Sequence, residues 1–163
     1  MRFEQLKKPI DVFISIFSII MMVLLVICVT WQVFSRYVLH IPSTLTDEIA
    51  RFSMIWVGLL GASYTVGLQK HLAIDLFTQN LTTRKKYLNN ILINLCIFLF
   101  ALGVMVFGGY TLVVNVYQSG QISPSMQLPM AYVYIALPLS GILMLFYSAL
   151  FLIDNCLLLK ENK

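Results

Sequence analysis

The chain has 163 residues, of which 60% are hydrophobic and 11% charged, with a mean hydropathy of +0.87. Soluble domains run at about 45–50% apolar and about 25% charged, so this composition excludes an ordinary soluble enzyme and marks an integral membrane protein. The net charge of +4 sits in short basic clusters between apolar runs, where it directs topology, and no nucleic-acid partner is expected.

Arg2, Lys7 and Lys8 precede an apolar run from Val12 to about Val33. That run exceeds the roughly 7–15 residues of a signal-peptide core, and no A-x-A site follows, so it is expected to remain as a membrane anchor. Crossing the hydrocarbon takes about 20 apolar residues per helix, and four stretches qualify, at about 12–34, 49–68, 88–116 and 130–153. The fold class expected is therefore all-α: residues 1–163 as a single domain of four transmembrane helices. Ile41-Pro42-Ser43-Thr44 separates the first two spans; Pro42 pushes Ile41 out of helical geometry, and Ser43, Thr44 or Thr46 can cap the second helix. Between spans two and three, "KHLAIDLFTQNLTTRKK" (Lys70 to Lys86) alternates apolar with polar residues and suits a short amphipathic segment at the membrane surface. From Lys86 to Asp154 no charged residue or histidine intervenes.

Lys and Arg concentrate on the cytoplasmic side of short loops. The N-terminus, the second loop (Lys70, Arg84, Lys85, Lys86) and the tail (Lys160, Lys163) carry them, whereas the third loop, "SGQISPSMQLP", carries none. Both termini are therefore expected in the cytoplasm, with the first and third loops on the outer face. Gly58 and Ala62, Ser63 and Gly67, and Gly103 with Gly108-Gly109 mark faces where helices can approach closely. Pro138 is a candidate kink in the fourth span.

None of the four spans has an ionisable group near its centre, which removes the usual proton relay of a self-sufficient pump. His40 and His71 fall on opposite sides of the membrane, so a paired-histidine haem site fails on geometry. Cys28, Cys96 and Cys156 lack the pairing of a disulfide oxidase, and the carboxylate within the first helix of four-helix multidrug exporters is absent. No HExxH, GxSxG or P-loop occurs, and His71 with Asp75 at i,i+4 is too sparse for a metal site. No enzyme activity, cofactor or metal is expected.

Charge gathers instead at the start of the second helix. Asp47 and Arg51 are i,i+4 and Glu48 and Arg51 are i,i+3, so each carboxylate can pair locally, with Arg36 able to reach the one left over. Arg36-Tyr37, Pro42, "DEIARF" (Asp47 to Phe52), Trp56, "GLLGA" (Gly58 to Ala62, through Gly61) and "HLAIDLF" (His71 to Phe77), in this order, resemble the small membrane subunit of tripartite ATP-independent periplasmic (TRAP) transporters, the Q-type small permease. The likeness covers the first half of the chain in motif and the whole chain in length and layout.

The resemblance implies a non-catalytic subunit in the bacterial inner membrane, part of a sodium-coupled uptake system for organic acids such as sialic acid or dicarboxylates. Its implied partners are a large membrane subunit whose scaffold it stabilises, a periplasmic solute-binding protein that docks transiently, and membrane lipids. Arg36, Asp47, Glu48, Arg51, Trp56, Gly58, Gly61, Ala62, His71 and Asp75 are the implied structural or interface residues. Two alternatives stand beside it: a self-contained four-helix transporter or channel acting as a homo-oligomer, and an anchor for an unrelated membrane complex.

Overall fold

In lipid every backbone N–H and C=O must find its partner within the protein, and a chain made of long apolar runs meets that demand as helices. The structure, a computed structural model, describes residues 4–68 and 83–161. The chain forms α1 (Glu4–Tyr37), α2 (Thr44–Leu68), α3 (Thr83–Phe100), a π-helical segment (Ala101–Gly108), α4 (Gly109–Gln118), a single turn α5 (Met130–Tyr134) and α6 (Ala136–Glu161). Four stretches are long and apolar enough to cross a membrane: Lys7–Tyr37, Thr44–Leu68, Tyr87–Gln118 and Met130–Leu159. At about 1.5 Å per residue, the 34 residues of α1 measure about 50 Å, more than the roughly 30 Å of hydrocarbon, so α1 tilts or projects. The surface segment expected from Lys70, with His71 and Asp75, lies outside the described residues until α3 begins at Thr83.

The helices pack in the order α1 on α2, α2 on α6, and α6 on α3 and the π segment. Helices in lipid gain little from apolar burial between themselves, so tight contact falls to small residues. Gly67 lies flat under the ring of fully buried Tyr147, and a Cβ there would come within 2.9 Å of Tyr147 Cζ. Gly141 faces the π segment, where a Cβ would meet Met105 Cβ at 2.7 Å, and Gly109 faces Pro138, where one would come within 3.0 Å of Cδ. Of the small residues singled out in the sequence, Gly67 and Gly109 make such contacts, but Gly58 and Gly103 face open space and Ala62 is exposed. Gly141, the tightest of all, carries no sequence signal beyond its size.

Two irregularities interrupt the expected spans. The third is no single α-helix: its middle widens into the π segment, which turns Ala101, Met105 and Gly109 towards α6 and leaves Val104 and Phe107 exposed. Pro138 marks an interruption within the fourth span, Met130–Leu159. The break falls at Ile135, between α5 and α6, because the Pro138 ring would clash with the Tyr134 carbonyl in a continuous helix; in the first turn of α6 it costs no hydrogen bond.

Several polar side chains inside the spans turn back on their own helices, whereas Ser18 Oγ of α1 is buried with no partner. Ser63 Oγ donates to the Leu60 carbonyl, Ser148 Oγ to Met144, Thr111 Oγ1 to Phe107 and Asn155 Nδ2 to Phe151, each at 2.7–2.9 Å. One bond crosses between the first and last spans: Tyr147 Oη donates to Asp11 Oδ1 at 2.6 Å. Lys7 Nζ lies 3.7 Å from Asp11 Oδ2 and 5.7 Å and 5.4 Å from the ring centroids of Tyr147 and Phe151. Asp11 adjoins the first span expected from Val12, and its partner is 136 residues away.

Gly141→Ala forces Met105 and the π segment to shift, and overpacking of this kind costs about 1–3 kcal/mol, so its thermal midpoint in detergent is expected to fall. Gly58→Ala meets nothing within 4 Å and gains helix propensity, so its midpoint should hold or rise. Tyr147→Phe keeps the ring over Gly67 and removes a bond to a charged acceptor, with an expected loss of about 1.5–3 kcal/mol in the same measurement.

Candidate functional site

The turn between α1 and α2 gathers the charged residues. Ser35 Oγ donates to the Ile41 carbonyl, the Ile41 N–H donates to the Ser35 carbonyl at 3.2 Å, and His40 takes a left-handed φ of 56° so that the chain can double back. Pro42 then ends the turn and α2 starts at Thr44. Thr46 Oγ1 donates back to the Ser43 carbonyl at 3.1 Å and does not cap a free N–H.

Asp47 and Glu48 are neighbours in sequence but point about 100° apart around α2. Asp47 Oδ2 pairs with Arg51 Nη2, and its Oδ1 accepts from Gln32 Nε2 of α1 at 2.8 Å. This pair is exposed, 70% on the Arg51 side chain and 36% on Asp47, and exposed pairs contribute about 0–1 kcal/mol. Glu48 turns inward and is 8% exposed. Its Oε2 accepts from Ser123 Oγ at 2.7 Å and from the Met126 N–H at 3.0 Å, and its Oε1 from the Ser125 N–H at 2.9 Å.

The donors come from the loop between α4 and α5, which is ordered by its own bonds. Gly120 and Gln127 take left-handed φ values of 63° and 52°, Ile122 and Pro129 form an antiparallel bridge, and the Ser123 N–H donates to the Leu128 carbonyl at 2.9 Å. Glu48 thus fastens the start of α2 to the loop that joins the third and fourth spans. The local network expected around Arg51 is corrected in two places. Glu48 does not pair with Arg51, because it faces the loop while Arg51 projects outward. Arg36 reaches neither carboxylate and is exposed without an ion pair among the described residues; Gln32, one turn earlier on α1, takes the open side of Asp47.

The remaining sites fall on two sides of α2. Trp56 packs on Phe17 of α1, ring centroids 5.8 Å apart and planes at 57°. On the other side Arg51, Met54, Gly58, Ala62 and Thr65, spaced three or four residues apart, form one exposed strip, with Gly61 half-buried beside it and open space beyond Gly58 and Gly61. His71 and Asp75 lie outside the described residues. Among the described residues no three His, Cys, Asp or Glu side chains gather as metal ligands, and Cys28, Cys96 and Cys156 are free thiols.

Sequence reasoning missed Ser123, Ser125, Met126 and Gln32. The third loop carries no charge, yet its hydroxyl and backbone N–H groups suit a carboxylate; the separation of 75 positions between Glu48 and Ser123 hid the match.

Glu48→Gln keeps the shape but sets an amide NH2 against N–H and O–H donors. We expect it to lose about 1.5–3 kcal/mol in detergent-unfolding measurements, whereas Arg51→Ala should lose no more than about 1 kcal/mol.

Comparison with known proteins gives the family. Residues 25–157 match the family model described as tripartite ATP-independent periplasmic transporters, DctQ component. The chain is 32% identical over 139 residues to a sialic acid TRAP transporter permease protein, SiaT, of Haemophilus influenzae, covering 82% of this chain and 20% of that protein. It is 30% identical over 100 residues to the C4-dicarboxylate TRAP transporter small permease protein DctQ of Rhodobacter capsulatus, covering 61% of this chain and 44% of that one. Over 86 residues it is 27% identical to the sialic acid TRAP transporter small permease protein SiaQ of Vibrio cholerae, covering 53% of this chain and 50% of that one. The chain therefore spans between a fifth and a half of the length of these relatives. They are transport subunits, a non-catalytic role, and with four apolar helices they indicate a multi-pass protein of the bacterial inner membrane. A match over residues 25–157, taking in the α1–α2 turn, Glu48 and the loop it fastens, shows that the chain belongs to the DctQ component family of tripartite ATP-independent periplasmic transporters.

Proposed function

We propose that this chain is the small subunit of a sodium-coupled, binding-protein-dependent uptake transporter for an organic acid, and that it packs on the scaffold of a large transport subunit and stabilises it. The observation that carries the reading is the exposed strip on α2. This helix is central, in contact with both α1 and α6, yet one of its faces shows Gly58, Ala62 and Thr65 to the outside. Small residues let another helix approach closely in lipid, where close packing is the main source of association.

The relatives support the same reading. SiaT and the isethionate TRAP transporter permease protein DctMQ of Oleidesulfovibrio alaskensis each match this chain over only 20% of their length, as expected if a region like this one is joined to a much larger membrane part. The relatives are named for sialic acid, isethionate and C4-dicarboxylate, so we assign this chain's system to solutes of that kind. Both termini lie in the cytoplasm in this arrangement, supported by the basic N-terminus and second loop. The turn end of the bundle, with Asp47, Arg51 and the Glu48-fastened loop, then faces the periplasm and borders the surface on which the solute-binding protein docks.

Gly58→Leu with Ala62→Leu places two branched side chains on the strip without touching the interior of the bundle. The double variant should fold like the wild type yet lose co-purification with the large subunit and lose uptake. Retention of both would reject the strip as the contact. Reconstituted alone in liposomes, the wild-type chain should carry no solute or sodium flux; flux from the chain alone would overturn the accessory role.

A further inference from the structure

The loop between α4 and α5 shapes itself with one set of bonds and holds Glu48 with another. The Ser123 N–H donates to the Leu128 carbonyl at 2.9 Å, the Gln127 N–H to the Ser123 carbonyl at 3.0 Å and the Met130 N–H to the Gln121 carbonyl at 2.9 Å. Pro124 has no N–H to place, and its ring fixes φ in the middle of the turn. Within residues 123–127 the N–H groups of Ser125 and Met126 are left over, and they donate to Glu48 Oε1 and Oε2 respectively. Ser123, 1% exposed, adds its hydroxyl to Oε2. The Met126 N–H also lies 3.2 Å from Ser123 Oγ, so hydroxyl and amide stand side by side. None of the bonds that shape the loop involves Glu48, and the donors converge without its help.

The donor set selects the ligand. Arg51 pairs with Asp47 and Lys7 with Asp11, and among the described residues no ion pair reaches Glu48. The charge is met by two backbone amides and one hydroxyl, a concave set of N–H and O–H dipoles that favours an anion. Both oxygens of one planar group are engaged, which an ionised carboxylate provides as an acceptor at each. A neutral amide of the same shape would turn an NH2 against these donors.

We propose that residues 123–126 form a binding site for a carboxylate anion, with Glu48 as its tethered occupant, and that a free carboxylate fills the site once the Glu48 side chain is removed. The tether gives Glu48 a standing advantage over any free acid, so the intact chain keeps the site to itself. This inference rests on the geometry of the loop and not on assembly with a large subunit.

Glu48→Ala removes the carboxyl group and one methylene, which leaves room for formate. The full-length variant in detergent at neutral pH is followed by thermal unfolding in sodium formate, and in sodium chloride or formamide at matched concentration. Formate should raise the midpoint of Glu48→Ala and then saturate; at ten times its dissociation constant it shifts the folding equilibrium by about elevenfold. Chloride and formamide should not. The wild type should gain no more from formate than from chloride, because Glu48 holds the site. Adding Ser123→Ala to Glu48→Ala removes one donor to the anion and should raise the formate requirement by roughly tenfold or more. Should Glu48→Ala not survive extraction, its folded yield in formate against chloride becomes the readout, and formate should restore it. Equal midpoints or yields in formate and chloride would overturn the site. An equal formate gain in the wild type would overturn it as a general salt effect, and so would a gain that Ser123→Ala leaves unchanged.

Discussion

Apolar burial does little to hold helices together in a solvent as apolar as leucine, and the bundle depends on how closely α6 can approach its neighbours. Gly67 under the Tyr147 ring, Gly109 against Pro138 and Gly141 against Met105 are the points of nearest approach, and each joins α6 to a different segment. These contacts set the order of the helices, with α2 and α6 inside and α1 and α3 at the flanks. The Tyr147 hydroxyl becomes buried at the same time and needs a strong acceptor, which Asp11 supplies from across the bundle. At the opposite end Glu48 does the equivalent with three donors from one loop.

Much of this could be read from the sequence, and the division follows range along the chain. The four spans come from runs of apolar residues, and the Asp47–Arg51 pair from spacing on one helix, so both were legible. Glu48 looked equivalent to Asp47 because spacing alone allowed either to pair with Arg51; the rotation of α2 decides between them, and that is set by packing. The Ser123 and Tyr147 bonds join residues 75 and 136 positions apart, and nothing local in "SGQISPSMQLP" or around Tyr147 announces a carboxylate partner. Small residues were legible as a class, but whether Gly58 or Gly141 meets a neighbour depends on which face of its helix turns inward. The π segment has no counterpart among the patterns that mark ordinary helices.

The same arrangement separates the surface into parts with different uses. The flank of α1 is a continuous display of large aliphatic side chains, from Val12 through Ile16, Ile20 and Ile27, suited to lipid. The strip on α2 is the opposite in texture, small and flat, suited to another protein. Among the described residues the bonds between helices made by polar side chains sit at the bundle's two ends, at Glu48 and Gln32 on one side and at Tyr147 on the other.

The loop that fastens Glu48 also bears on how the chain is made. A growing polypeptide exposes its segments in order, so α1, the turn and α2 exist as a hairpin long before residues 123–126 leave the ribosome. During that interval the Glu48 carboxylate has none of its three donors and stays hydrated at the membrane surface. Only arrival of the last loop lets it give up water, and only the last helix brings Tyr147 to Asp11. Both closures come late in synthesis: a chain that ends before the third loop leaves Glu48 without any of its donors, and one that ends before the fourth span leaves Asp11 with Lys7 but without the Tyr147 hydroxyl, a chemical mark by which unfinished copies differ from complete ones.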